Sequence, residues 1–173
     1  MIGIATAGGV GFLPGAPGSF GAALAVLIFV LFSPWHPALL GLSWVALLAL
    51  GVWAADGAEA AFGREDDGRI VIDEVVGQLL ALAPLAALVH GCGGWPISAA
   101  AFGGWLVTGF VLFRCFDIAK PGPVRWAERR FRGGVGVMMD DVVAGALAAA
   151  GLAALLLAAH AAGLDALVPR GPA

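Results

Sequence analysis

Apolar residues fall into five runs, at residues 20–32, 38–55, 75–90, 97–116 and 142–162, and the polar residues are confined to the stretches between them. Each run predicts a helix. The run at 20–32 is short of the roughly 20 residues that a bilayer crossing requires, so it is predicted to tilt, to thin the bilayer or to enter only in part. The predicted fold class is therefore all-α: an integral membrane helical bundle of four or five spans with a short N-terminal Gly/Pro loop. That loop, GGVGFLPGAPGSFG at residues 8–21, holds six glycines and two prolines in fourteen positions, which breaks a regular helix and exposes backbone amides. It suits either close approach to an anion or a plain interfacial connector, and Ser19 is placed to cap the helix after it. Segments such as AAAGLAALLLAAHAA carry little but small residues, the composition that lets membrane helices approach closely.

Composition agrees with a bilayer protein. Of 173 residues, 61% are hydrophobic and 12% charged, against roughly 25% charged in a soluble domain. The mean hydropathy is +0.96. Residues 1–173 read as a single membrane-embedded domain, with no removable signal peptide expected at MIGIATAGG. A net charge of -3 without a long basic block excludes a nucleic-acid binder. Cys92 and Cys115 lack CxxC spacing and flank an apolar run, so neither a metal knuckle nor an internal disulfide is expected.

The order of the runs sorts the charges. If all five cross, the N-terminal loop and the connectors at 56–74 and 117–139 share one face. Lys120, Arg125, Arg129, Arg130 and Arg132 mark that face as cytoplasmic by the positive-inside rule. His36, His90 and His160 fall at the opposite face, as helix-end or interfacial residues rather than ligands. Trp35 and Trp95 at one boundary, with Trp53 and Trp126 at the other, suit an aromatic belt.

Of nine basic and twelve acidic residues, ten lie between Arg114 and Gly145, and hydrocarbon cannot solvate them. Acids also mark the helix ends: Asp56 closes the second run, Asp73 and Glu74 open the third, Asp117 closes the fourth, and Asp140 and Asp141 open the fifth. Acids at a helix start can simply serve its dipole, which suits Asp73, Glu74, Asp140 and Asp141 but not Asp56 and Asp117. Clustered carboxylates otherwise require a cation, and hard oxygen donors suit Mg2+. Asp73, Glu74, Asp117, Asp140 and Asp141 are the candidate metal ligands. Glu65, Asp66 and Asp67, in GREDDGR, are expected to be solvated. Lys120, three residues after Asp117, is predicted to lie beside it and to contact phosphate as a point charge. Arg125 and Arg129, spaced i, i+4, are candidates for phosphate or for anionic lipid. The glycines of GGVGVMMDD are expected to bring backbone near the same centre.

Three blocks, LPGAPGSFG at 13–21, GRIVIDEVVG at 68–77 and FDIAKPGPVRWAERRFRGGVGVMMDDVVAG at 116–145, resemble the phosphatidylglycerophosphatase A family, in its order and over nearly the whole chain. The long third block is the specific one. The resemblance implies a magnesium-dependent lipid phosphatase of the bacterial inner (cytoplasmic) membrane that hydrolyses phosphatidylglycerophosphate to phosphatidylglycerol and phosphate. It implies a catalytic set of Asp73, Glu74, Asp117, Lys120, Asp140 and Asp141; the candidate substrate contacts beside it are Gly18, Ser19, Lys120, Arg125 and Arg129. Glu128 departs from the pattern, which often has Asp there. Attack by a water, with one of Asp73, Glu74, Asp140 or Asp141 as base, and attack by an aspartate both fit. No Cys-x5-Arg loop begins at Cys115, which excludes a cysteine phosphatase. The alternatives from other classes are a small membrane transporter or channel, with acids along an ion path, and a structural membrane subunit.

Overall fold

The computed structural model describes residues 1–33, 36–91 and 98–164. Trp35, Trp95 and Cys92, named above, lie outside them, as do Pro34 of the turn SPWHP and most residues of GCGGWP. The described residues form helices joined by short turns, without a strand: α1 (Ile2–Ala5), α2 (Pro17–Phe32), α3 (Pro37–Phe62), α4 (Ile72–Ala81), α5 (Ala83–Gly91), α6 (Ala99–Ala119), α7 (Gly122–Arg130) and α8 (Gly133–Ala161). Three of them, α3, α6 and α8, are long and apolar enough to cross a membrane. At 1.5 Å per residue even α6 is about 30 Å long, the thickness of the hydrocarbon layer. The pair α4–α5, bent by 45°, is apolar and long enough for a fourth crossing when its two helices are taken together as one span. Pro84 stands just past the bend; its ring has no N–H to give and crowds the preceding turn. The shorter apolar helix α2 is the fifth apolar unit. Large side chains such as Leu27, Leu31, Leu42, Val107 and Leu157 point outward, an arrangement suited to lipid rather than to water. Trp53 and Trp126 are more than half exposed.

Several element bounds differ from those read off the sequence, each for a local reason. Helix α2 begins at Pro17, a residue whose fixed φ favours the first helical position, and Ala16 rather than Ser19 precedes it. Ser19 therefore lies inside the first turn and caps nothing. The Gly/Pro loop itself contains a 3-10 turn, Val10–Phe12. Helix α3 runs past Asp56 to Phe62, ending at Gly63 in the left-handed conformation. Helix α8 begins nine residues before the last apolar run, at Gly133, so Asp140 and Asp141 lie in its second and third turns and its first turn holds no acid. They do not serve its dipole.

One end of the bundle is defined by direct contacts. A Cβ at Gly18, at the start of α2, would strike the Glu74 carboxylate of α4 and approach Arg114 of α6. Gly134, at the start of α8, donates its N–H to Asp56 Oδ1 on α3 at 2.5 Å. The starts of α2, α4 and α8 thus meet the later turns of α3 and α6. This contact also relocates the glycines of GGVGVMMDD: Gly133 and Gly134 approach Asp56 and Val52 of α3, not the other acids. Phe29, Leu82, Leu85, Val89, Phe102, Leu152 and Leu156 pack a separate cluster toward the far end.

The central contact is between α4 and α8. Gly77 lies against the carbonyl of Asp141 and the ring of Phe113, and Gly145 lies against the carbonyl of Gly77. Two glycines facing across the interface bring the backbones together as small-residue membrane interfaces do. Trp44 Nε1 donates to the Val76 carbonyl at 3.0 Å and ties α3 to the same helix.

The entry to α4 is fixed from the N-terminal side. Val71 N donates to the Ala5 carbonyl at 2.9 Å, and Gly11 lies so close to the Arg69 carbonyl that no Cβ fits. Asp67, expected to be solvated, is nearly buried at 7% exposure. Arg69 explains this: its Nε and Nη2 donate to the two Asp67 oxygens at 2.7 and 2.8 Å, while its guanidinium stacks over Phe62 at 3.8 Å.

Two outcomes follow. Gly145→Leu drives a side chain into the Gly77 backbone, which cannot yield, and is expected to cost about 1–3 kcal/mol, read as a lowered unfolding midpoint in detergent. The second concerns pH. The Arg69 hydrogen bonds hold the Asp67 carboxyl at about 2, below its usual 3.8. A depressed value stabilises the fold above pH 3.8, and that stabilisation disappears as pH falls toward 2. Unfolding measured between pH 5 and 2 should show this loss in the wild type and a shallower slope in Asp67→Asn.

Candidate active site

Four carboxylates meet where α4, α6 and α8 converge. Asp73 and Glu74 occupy the first turn of α4, and one oxygen from each lies with an oxygen of Asp141 in a group whose members are all within 4.8 Å of one another. Asp73 and Asp141 are buried at 8% and 4% exposure. Asp117, near the end of α6, lies against Asp141. Such a group is repulsive unless cations accompany it.

Two cations do. Arg114 Nη1 bonds Asp117 Oδ2 at 2.5 Å and approaches Glu74 Oε1 to 4.0 Å. Lys120 Nζ donates to Asp140 Oδ2 at 2.9 Å and to Glu128 Oε1 at 2.7 Å. Lys120 was expected beside Asp117, and the structure takes it elsewhere. It caps α6 in the left-handed conformation, φ 44°, immediately before Pro121, so the chain leaves the helix there and the ammonium swings toward α7 and α8. Arg114, one turn earlier on the same helix face, takes Asp117 instead. Burial opposes the charge on Lys120, but its hydrogen bonds to Glu128 and Asp140 outweigh that and hold its pKa above the ordinary lysine value. Lys120 stays protonated.

The five acids read as candidate metal ligands thus divide. Asp73, Glu74 and Asp141 form the oxygen group. Asp140 points about 100° away around α8, as neighbours on a helix do, and is held by Lys120. Asp117 is held by Arg114. Among the described residues Asp73, Glu74 and Asp141 can hold a metal ion, since each offers a hard carboxylate oxygen to the same small space. Gly18 lies directly against Glu74 and Arg114, and Ser19 follows it in the first turn of α2. Arg125 and Arg129 are exposed on α7, without a hydrogen bond or ion pair to the acids.

Arg114, Glu128 and Asp56 were not singled out as site residues. The Arg114–Asp117 spacing of three was a usable signal. Nothing local pointed to Asp56 meeting Gly134, 78 residues away in sequence, or to Glu128 meeting Lys120. The histidines keep their distance: His36 caps α3 by accepting from Ala38 N at 3.2 Å, and His90 and His160 occupy the last turns of α5 and α8. A cavity of about 630 Å³ between α2, α3 and the α4–α5 bend has walls such as Phe29, Phe32, Trp44, Leu47 and Leu79. It is apolar and carries none of this chemistry.

Comparison with known proteins agrees with the geometry. A family profile described as Phosphatidylglycerophosphatase A matches residues 3–156. A protein of Bacteroides thetaiotaomicron named putative phosphatidylinositol-3-phosphatase is 44% identical over 148 residues, covering 82% of this chain and 84% of its own. The phosphatidylglycerophosphatase A of Escherichia coli is 34% identical over 143 residues, 82% of this chain and 74% of its own. That of Haemophilus influenzae is 33% identical over 137 residues, 79% and 76% of the two chains. No solved structure matches significantly. A bundle whose acids converge at one end, matched to one family over nearly all of its length, belongs to the phosphatidylglycerophosphatase A family.

Proposed function

We propose that the chain is a magnesium-dependent lipid phosphatase, one domain over residues 1–173, that hydrolyses phosphatidylglycerophosphate to phosphatidylglycerol and phosphate. The observation that carries this reading is the group of Asp73, Glu74 and Asp141 oxygens within 4.8 Å of one another at the end of an apolar bundle. These three would hold Mg2+, which when bound supplies positive charge to the phosphoryl oxygens. Asp117, oriented by Arg114, completes the acidic wall beside Asp141.

Lys120 carries a fixed charge toward the phosphate, steadied by Asp140 and Glu128. Because its proton is held tightly it acts as an electrostatic contact and not as the acid. Gly18 and Ser19 offer backbone amides of the α2 first turn beside Glu74. Arg125 and Arg129 face the lipid headgroups from α7. A carboxylate of the group takes the proton of the attacking water as the new P–O bond forms; the ester P–O bond breaks, and the protonated carboxyl returns that proton to the departing lipid oxygen, giving the lipid alcohol and phosphate. A channel or transporter requires acids along a path through the spans; here they gather at one end.

The membrane would be the bacterial inner membrane, with the site on the cytoplasmic side, where Lys120 and the four arginines from Arg125 to Arg132 sit. The acyl chains then stay in the bilayer while the phosphate enters. A second reading of the headgroup is favoured by one finding: the relative named putative phosphatidylinositol-3-phosphatase shares 44% identity with this chain. The reaction type is the same, on an inositol phosphomonoester.

Phosphate release from the purified protein in mixed micelles tests both readings, with each lipid as substrate. Release from phosphatidylglycerophosphate should require magnesium, stop with EDTA and resume on adding the ion. Asp73→Asn and Asp141→Asn should each lower turnover by on the order of a hundredfold or more. Chelator-resistant turnover, or near wild-type rates in both variants, would sink the metal assignment; faster release from the inositol lipid would reassign the headgroup. Sidedness is checked by cysteine labelling, since Gly68 and Gly122 both face open space. With Cys92 and Cys115 replaced, Gly68→Cys and Gly122→Cys should resist an impermeant thiol reagent in intact cells and react once the cells are opened.

A further inference from the structure

Behind the acidic group lies a set of polar atoms that the reaction above does not use. Gln78 of α4 is fully buried, 0% exposed, and neither its Oε1 nor its Nε2 has a hydrogen-bond partner. Two more atoms in the same state are Glu74 Oε2, one turn earlier on α4, and Arg114 Nε on α6. Buried polar groups in an apolar surrounding are costly without partners, yet these four are complementary. Arg114 Nε–H and the Gln78 amide are donors; Gln78 Oε1 and Glu74 Oε2 are acceptors.

Their placement makes the pairing reachable. Gln78 lies four residues after Glu74, on the same face of α4, and side chains on a helix lean toward its N-terminus, so the amide leans toward the Glu74 carboxylate. Arg114 already approaches Glu74 to 4.0 Å from α6. Phe113, the residue before Arg114, packs on Gly77, the residue before Gln78. A leucine would satisfy packing at this position.

We propose that Gln78 is a positioning residue that ties Glu74 to Arg114. This rests on the reading of the acidic group as the catalytic centre. Arg114 Nε donates toward Gln78 Oε1 and Gln78 Nε2 toward Glu74 Oε2, each through one ordered water. The link turns the Glu74 carboxylate so that its free edge faces Asp73 and Asp141, and holds the Arg114 guanidinium between Glu74 and Asp117. Gln78 itself touches no reacting atom.

The test uses full-length protein in mixed micelles with a phosphomonoester lipid and magnesium. Gln78→Leu, close in volume and without polar atoms, is expected to lower kcat by about 10–100-fold, the usual effect of losing a group that orients a metal-binding side chain, while KM changes little. Without substrate, the magnesium concentration giving half-maximal thermal stabilisation should rise about tenfold. Gln78→Glu keeps the shape but donates only when protonated, so its kcat should recover toward acid pH where the wild type's does not. Wild-type kcat and magnesium dependence in Gln78→Leu would overturn the proposal, as would a pH profile for Gln78→Glu that superimposes on the wild type's. If Gln78→Leu gives no cooperative unfolding transition, the isosteric Gln78→Glu decides. An active, magnesium-dependent wild type unmoved by these changes refutes only the role of Gln78. A wild type that releases no phosphate refutes the functional reading beneath it.

Discussion

Carboxylates brought together inside an apolar bundle repel one another and cannot be solvated by hydrocarbon. Most of this architecture answers to that constraint. Asp73, Glu74 and Asp141 meet with Asp117 beside them, and each basic side chain near them is committed to an acid: Arg114 to Asp117, Lys120 to Asp140 and Glu128. The trio Asp73, Glu74 and Asp141 has no hydrogen-bonded cation of its own, only Arg114 at 4.0 Å from Glu74, which is why a divalent cation is the economical occupant.

Bringing those acids together demands unusually close backbones. Glu74 and Asp141 sit on different helices, and α4 reaches α8 only because Gly77 and Gly145 leave no side chain between them. Gly18 plays the same part for α2, whose first turn could not lie on Glu74 with a Cβ present. The small residues of the apolar runs are therefore part of the site. In lipid, where burial of apolar surface gives little drive to helix association, such close packing is also what holds the bundle together.

The connectors are as constrained as the spans. The turn from α3 into α4 is anchored by the Val71–Ala5 hydrogen bond and by Asp67 held by Arg69 over Phe62, and this fixes where Asp73 and Glu74 begin. The left-handed turn at Lys120 redirects the chain into α7 and delivers the ammonium to Asp140. Trp126 packs edge-on against Phe131, with ring centroids 6.0 Å apart, beside the exposed arginines of α7, a composition suited to the headgroup layer.

Hydropathy and motif spacing determined the all-α membrane class, the five apolar units and the gathering of acids at one end, because those properties are written in local composition and in the order of runs. The blocks around DEVVG and MMDD also determined the family. Helix starts were misjudged at α2 and α8 because Pro17, which looks like a breaker in sequence, is favoured at the first helical position, and because Gly133 and Gly134 let α8 start hard against Val52 and Asp56 of α3. Only the tertiary structure decided which acid meets which cation. Asp140 and Asp141 are identical in sequence terms, yet the turn of one helix sends the first to Lys120 and the second to Asp73 and Glu74. Asp67 was taken for a surface acid because its burial depends on Phe62 and Arg69 closing over the loop. Pairings such as Gly134 with Asp56 join residues 78 apart; they exist only where packing brings two chain segments together, and no local pattern encodes them.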